Sequence, residues 1–304
     1  MINKIRKKIF SGAETARQVQ EVSDRLSAIR ADSAVVALYG SPTHGHWLGI
    51  ANATKGLYKE AALEIPQSYS NPVFSETQIN TICKKIKDLK FQKVIISGFA
   101  LYFFDFIDKL HSSCTIQTLF HGTISEFHNP VIQKQVQSLI NYSKENKIKE
   151  LLFVKEGLDK VFTQLYGLKA SHQPLNTPHI PANLELIKLD PAKIHIGVFG
   201  GDTFNKNLHN QVIYALMNEN TVVHVLDKHM FDYLGMGDRI IGHGNNLPKE
   251  KFLGIIGAMT VNLYMSYSES WGLVAYESEA MGVPAVRMDD VNYYEKIKKT
   301  IESK

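Results

Sequence analysis

The chain has 304 residues, of which 44% are hydrophobic and 21% charged, with 34 lysines and arginines against 30 aspartates and glutamates for a formal charge of +4. That length and composition exclude a disordered chain and a single small core, and fit two domains of ordinary size. The small positive charge does not require nucleic acid as a partner, and two cysteines, Cys83 and Cys114, supply neither a disulfide framework nor a zinc spacing, which points to a reducing compartment.

The first residues, NKIRKK at 3–8, carry four basic side chains that can touch an anionic membrane surface, the alternative being a solvated face. No secretory pattern opens the chain, and the apolar run VIISGFALYFF is too short to span a bilayer. A cytoplasmic protein is therefore expected, peripheral at the inner face of the membrane at most. Val19, Val22, Leu26 and Ile29 repeat at helical spacing and predict an amphipathic helix. SAVVALYG (33–40) reads as a buried strand ending in a glycine turn, and AALEI (61–65) as a shorter one. Ser75 and Gln78 form a capping box before the apolar helical stripe Ile79, Ile82, Ile86 and Leu89. Strands follow at 93–98, 114–120 and 150–155, with helices at 99–110, 129–143 and 157–167 between and after them. Periodicity fades over 180–193, where the domain linker is placed. A second alternation then begins, with strands at 193–201, 221–226, 238–244, 260–265 and 283–288. Helices at 207–217, 248–259 and 271–281 separate them, and YYEKIKKTIESK (293–304) closes the chain as a helix.

Short apolar runs alternating with helices make crossover units on parallel sheets. The expected fold is α/β, with two Rossmann-like doubly wound domains facing a cleft. The N-terminal domain (1–182) takes the acceptor side, and the C-terminal domain (190–304) the donor side. Ligands of such sheets bind beyond the carboxyl ends of the strands.

The segment Glu269-Ser-Trp-Gly-Leu-Val-Ala-Tyr-Glu277 sets two carboxylates eight residues apart around an apolar run. Glu269 follows the strand at 260–265, and at ~100° per residue the two acids would leave similar sides of the helix. Gly272 at the helix start lets a ligand approach the backbone, where unsatisfied N–H groups and the helix dipole favour an anion. Carboxylates accept hydrogen bonds from sugar hydroxyls, so a ligand with hydroxyls at both ends and phosphates between them, a nucleotide sugar, answers the pattern. The competing reading is a helix cap and a surface acid.

SYSESWGLVAYESEAMGVPAV (266–286) resembles the E-x7-E signature of retaining family 4 glycosyltransferases, which have the GT-B fold. LFHGT (119–123) is similar to that family's strand-end histidine segment, GVFGGDTFNKN (197–207) to its glycine-rich strand end with a phosphate-binding lysine, and IIGHGNNLPKEKFLGIIGAM (240–259) to the part lining the nucleobase pocket. The resemblance implies metal-free transfer of a sugar from a nucleotide-diphosphate donor to an acceptor hydroxyl with retention, commonly in cell-surface polysaccharide or lipid-linked glycan synthesis. It implies catalytic roles for His121 and Glu269. It also implies donor binding by Lys206, Glu277, Gly272, Leu273, Gly200, Gly201, His243 and Leu247. Independently of the resemblance, the glycine-bounded loop after the first strand, with Gly40 and Ser41, is expected to meet acceptor or donor. No cofactor and no metal are expected. Expected partners are a nucleotide sugar and a glycan or lipid-linked acceptor, without nucleic acid.

The sequence departs from the family at Gly201, where an arginine is usual, and after Val286, where a Gly-Gly turn and a further acid are usual. Members also continue into helices beyond the point where this sequence stops. These departures keep open a non-catalytic nucleotide-sugar-binding relative, or a partner subunit of a glycosyltransferase. An epimerase of the same fold would need an acid/base pair around the sugar, and none is evident. His44 and His46 lack a third ligand for a metal. Met288–Asp290 reads as a solvated turn, Trp271 and Tyr276 as core, and His195 and His224 as polar edges within strands.

Overall fold

A computed structural model describes residues 12–42, 48–66, 74–100, 102–176, 178–201, 203–245, 247–269 and 271–287. The basic N-terminal segment, His44, His46, Met288–Asp290 and the closing helix lie outside the described residues. The chain divides into two compact units, one holding six strands and the other five.

In the first unit α1 (Gly12–Asp32) precedes β1 (Val35–Gly40), α2 (Leu48–Tyr58), β2 (Ala62–Ile65), α3 (Glu76–Asp88) and β3 (Lys93–Ser97). Then come α4 (Phe103–Leu110), β4 (Thr115–Phe120), α5 (Pro130–Lys144), β5 (Glu150–Phe153), α6 (Leu158–Tyr166) and β6 (Ala170–His172). The sheet order is β2-β1-β3-β4-β5-β6, and every pair is parallel. Because helices cover both faces, the strands are near-continuous apolar runs: Val36, Ala37, Leu38 and Tyr39 are all buried, as are Val94, Ile95 and Ile96.

Local sequence sets the helix ends. The Ser75 side chain accepts from Gln78 N while the Gln78 side chain accepts from Ser75 N. Asn129 accepts from Val131 N in front of Pro130. Gly157 and Gly167, both left-handed, bracket α6. Val22, Leu26 and Ile29 of α1 close over a core that includes Ile82, Ile86, Phe103, Phe106 and Phe153.

Two elements escape the sequence reading. Glycines at 49 and 56 and the polar Asn52, Thr54 and Lys55 obscure the periodicity of α2. The three residues of β6, Ala-Ser-His, carry no apolar signal at all. The expected helix at 99–110 begins only at Phe103.

The second unit runs β7 (Ile194–Val198), α7 (Leu208–Leu216), β8 (Thr221–Val225), β9 (Ile240–Gly242), α8 (Lys249–Ile256), β10 (Val261–Tyr264), α9 (Leu273–Ala280) and β11 (Ala285–Arg287). Its order is β11-β10-β7-β8-β9, again all parallel. The chain moves outward from β7 through β8 to β9, then returns to the other flank of β7 as β10. The loops leaving β7 and β10 therefore diverge at their carboxyl ends. The segment 180–193 forms no helix or strand and lies against α8, where Ile187 N donates to Gly254 O.

Asn262, fully buried on β10, organises this unit. Its Nδ2 donates to Ile256 O at 3.1 Å and to Ser278 Oγ at 2.8 Å, and Ser278 Oγ donates to Val283 O at 2.9 Å. The amide thus joins the end of α8, the strand and α9. Gly197 on β7 makes room for it: a Cβ there would stand 2.0 Å from Asn262 Oδ1 and 2.4 Å from Phe199 Cε2. Gly197→Ala is expected to destabilise the second unit by about 1–3 kcal/mol, because the obstacles are a hydrogen-bonded amide and a core ring rather than a flexible tip. Urea unfolding followed by limited proteolysis checks this, and an unchanged midpoint would contradict it.

Candidate functional site

In a doubly wound sheet, the crevice opens where the strand order reverses. In the second unit that point lies between β7 and β10. The loop from β7 carries Phe199, Gly200 and Gly201, then a 3-10 turn, Phe204–Lys206, and the left-handed Asn207. The loop from β10 carries Met265 to Glu269 and reaches Gly272, which caps α9 at φ 79°. Polar side chains tie the two loops together. Asn207 Nδ2 donates to Met265 O at 3.1 Å, and Tyr267 N to Asn205 O at 2.7 Å. Buried Gln211 donates from Nε2 to Lys206 O at 2.7 Å and accepts at Oε1 from Met265 N at 2.9 Å.

This framework sets Lys206 against Glu269, with Nζ 2.6 Å from Oε1. The side chains are 23% and 17% exposed, so the pair is shielded yet reachable. Lys206 Nζ also lies 5.7 Å from the centre of the Tyr264 ring. Burial, then the Glu269 charge and a hydrogen bond to it, raise Tyr264 well above the ordinary tyrosine range, so its hydroxyl stays a donor to Glu269. Glu277 is buried in α9 and pairs with Lys249, the first residue of α8.

The two acids do not share a helix. α9 begins at Leu273, and Glu269 stands four residues before it on the loop, separated by the left-handed Gly272. The left-handed cap breaks helical periodicity, so the expected common helical side is corrected to two separate anchors. Gly272 has no side chain with which to cap the first turn, and a Cβ there would meet the Tyr264 ring at 3.1 Å. Trp271 and Tyr276 stack on each other at 5.0 Å between ring centres, both only partly buried.

Gly200 is tight, since a Cβ would touch Leu208 Cδ2 at 3.0 Å, whereas a Cβ on Gly201 would meet nothing within 4 Å. His243 follows β9, and Leu247 packs beside the Phe199 cluster together with Val274 of α9.

In the first unit, Gly40 ends β1 and Ser41 N donates to Ile65 O at 3.0 Å, next to the reversal between β1 and β3. His121 follows β4. Its Nε2 lies 2.9 Å from Ser97 Oγ, Ser97 Oγ lies 2.6 Å from Thr54 Oγ1, and Thr54 Oγ1 donates to Ile50 O at 2.7 Å. The Thr54 proton is used on a carbonyl, so Ser97 donates to Thr54 and His121 Nε2–H donates to Ser97. These partners assign the tautomer and leave Nδ1 as the acceptor.

Sequence reasoning missed Thr54, Ser97, Gln211 and Lys249. Lys249 flanks Glu250 and Lys251 in an ordinary charged run, and only its partner Glu277 distinguishes it.

Among the described residues, no group of three His, Cys, Asp or Glu side chains could hold a metal ion, and no helix is long and apolar enough to cross a membrane. No family model matches the chain, and no curated protein matches it in sequence. In fold it is similar to a sucrose-phosphate synthase from Thermosynechococcus elongatus, with a TM-score of 0.56 and 11% identity over 83% of this chain and 80% of that one. It is similar to the Anabaena protein HepE, solved in complex with UDP and glucose, with a TM-score of 0.60 and 12% identity over 84% and 80% of the two chains. Likeness to TarM has a TM-score of 0.53 and 14% identity and covers 69% of this chain and 44% of that one. The architecture is that of the GT-B fold, with two Rossmann-like α/β units.

Burial lowers His121 from 6.5 to about 3, and burial with two neighbouring imidazoles does the same to His224. Both are neutral in the folded protein, and the unfolded chain takes up their protons first. Their contribution to stability is therefore complete above pH 6.5 and is lost as pH falls towards 3. Stability should fall on acidification from pH 6 to 4, and His121→Gln should flatten that slope by about 1.4 kcal/mol per pH unit. Urea midpoints at several pH values measure it; an unchanged slope would contradict a neutral His121.

Proposed function

We propose that the protein is a glycosyltransferase that holds a nucleotide-diphosphate sugar on its second unit and transfers the sugar to an acceptor hydroxyl with retention. The observation that carries this reading is the Lys206–Glu269 pair at the β7/β10 reversal, beside the uncapped start of α9. An anion arriving at Gly200 and Gly201 meets a lysine cation and a helix N-terminus together. Lys206 can turn from Glu269 to the diphosphate and stabilise the charge that grows as it departs. Glu269 is then left to accept hydrogen bonds from sugar hydroxyls, with Tyr264 holding it in place. Glu277, paired with Lys249, is suited to accept from ribose hydroxyls. His121 of the first unit, neutral with Nδ1 as an acceptor, suits a hydroxyl rather than a phosphate. The acceptor class in this reading is a glycan or lipid-linked glycan.

The test is a panel of nucleoside diphosphates and their sugars, scored by thermal melting and by donor hydrolysis or transfer. A true ligand at about a hundred times its Kd should stabilise the fold by roughly 2.7 kcal/mol. Glu269→Gln should keep binding but lower kcat and kcat/KM together by about ten- to a hundredfold, because its contact strengthens in the transition state. A melt that no nucleotide moves would sink the reading. Binding without turnover would replace transfer by nucleotide-sugar binding alone.

Gly201 offers a gain-of-function counterpart. The open space around it admits a side chain without moving its neighbours. Gly201→Arg should therefore add a second cation to the diphosphate and tighten nucleoside diphosphate binding about tenfold, read by calorimetry. Weaker binding would argue that the phosphates lie elsewhere.

A further inference from the structure

Three histidines form a chain through the second unit. His195 Nε2 lies 2.9 Å from the backbone oxygen of Asp190, His195 Nδ1 lies 2.9 Å from His224 Nε2, and His224 Nδ1 lies 2.8 Å from His243 Nε2. The rings of His224 and His243 are stacked, 5.1 Å apart and 15° from parallel. His195 and His224 are buried inside β7 and β8, while His243 is half-buried just past the carboxyl end of β9.

The chain has a direction. A carbonyl oxygen only accepts, so His195 Nε2 carries the proton. With one N–H on each ring, His195 Nδ1 accepts from His224 Nε2–H. By the same rule, His224 Nδ1 accepts from His243 Nε2–H, and the lone pair of His243 remains on Nδ1. A charged His224 would reverse the last link, but its complete burial between two other imidazoles opposes that charge and holds it down to about 3. Among the described residues, His243 Nδ1 has no protein partner, and it is not one of the sealed, unsatisfied polar atoms. It is an acceptor whose polarity is dictated two strands away.

We propose that this relay makes His243 a fixed hydrogen-bond acceptor at the base end of the nucleotide site, so that the protein selects bases presenting a ring N–H there over bases presenting a ring lone pair. Uracil and guanine carry such an N–H; cytosine and adenine carry a lone pair at the corresponding ring nitrogen. His243 is the specificity-determining residue, and His195 and His224 are positioning residues that act through it. The inference rests on the donor-site reading above. It adds that the base is chosen by a proton order set at Asp190 O. A lone pair facing a lone pair leaves both unpaired, which a partly desolvated site resists.

The experiment compares uridine and cytidine diphosphate, two pyrimidines of the same size, by calorimetry on the full chain. Cytidine diphosphate should bind at least about tenfold more weakly. His224→Phe, which removes the middle link without touching ligand, should shrink that preference to within about twofold. In case that variant does not fold, nitrogen-15 spectra of histidine-labelled parent protein read the relay directly: His243 should carry its proton on Nε2. Equal binding of the two nucleotides, or a proton on His243 Nδ1, would overturn the relay's role while leaving the donor site standing. Binding of neither these two nor guanosine diphosphate would overturn the donor-site reading and this inference together.

Discussion

One buried amide sets the geometry of the second unit's carboxyl edge. Gln211 reaches from the first turn of α7 to two loops that the sheet order drives apart, giving a proton to Lys206 O and taking one from Met265 N. It acts beside the Asn207 Nδ2–Met265 O and Tyr267 N–Asn205 O bonds, which also join the loops leaving β7 and β10. With it, the backbone of Lys206 is tied to the segment leading to Glu269, and the side-chain pair forms on a prepared frame. Asn262 does the corresponding work below, locking α9 to β10 and so fixing where Gly272 and Glu277 lie. A side-chain amide suits the Gln211 position because it donates and accepts at once, and at Asn262 the two N–H groups of one amide reach Ile256 O and Ser278 Oγ.

The two units handle charge and proton order in different ways. Around the β7/β10 reversal, each carboxylate is matched by a lysine, Lys206 for Glu269 and Lys249 for Glu277, so neither shielded acid lacks a cationic partner. Burial holds His121, His224 and His243 below the ordinary histidine range, and chains that begin at a backbone carbonyl set the tautomers. Ile50 O orders Thr54, Ser97 and His121 in the first unit, while Asp190 O orders His195, His224 and His243 in the second. In both chains the terminal imidazole is left with Nδ1 as its acceptor. A neutral acceptor suits hydroxyl or ring N–H groups and offers nothing to a phosphate, so in the donor site we propose the phosphates fall to Lys206 and the α9 terminus.

Much of this molecule can be read along the chain, because its signals are local. Apolar runs alternate with helical stripes, and they predict parallel strands at 33–40, 93–98, 114–120, 193–201 and 221–226, where the structure has strands at 35–40, 93–97, 115–120, 194–198 and 221–225. The Ser75–Gln78 capping box marks a helix start that the structure bears out. What failed locally had weak chemistry to announce it: α2 hides behind two glycines, and β6 is one alanine and two polar residues held by its neighbour β5.

The sequence by itself determined the alternation of strands and helices, the glycine at the α9 start, and the spacing of Glu269 and Glu277, since each depends on residues close along the chain. Only tertiary structure decided what those residues face. That Glu277 meets Lys249, that Lys206 meets Glu269 across 63 positions, and that His224 joins two other imidazoles follow from strand order and register. A hydrogen bond between side chains distant in sequence leaves no periodicity behind. The sheet brings them together, and the sheet is held by apolar burial that says nothing about which polar groups will share an edge.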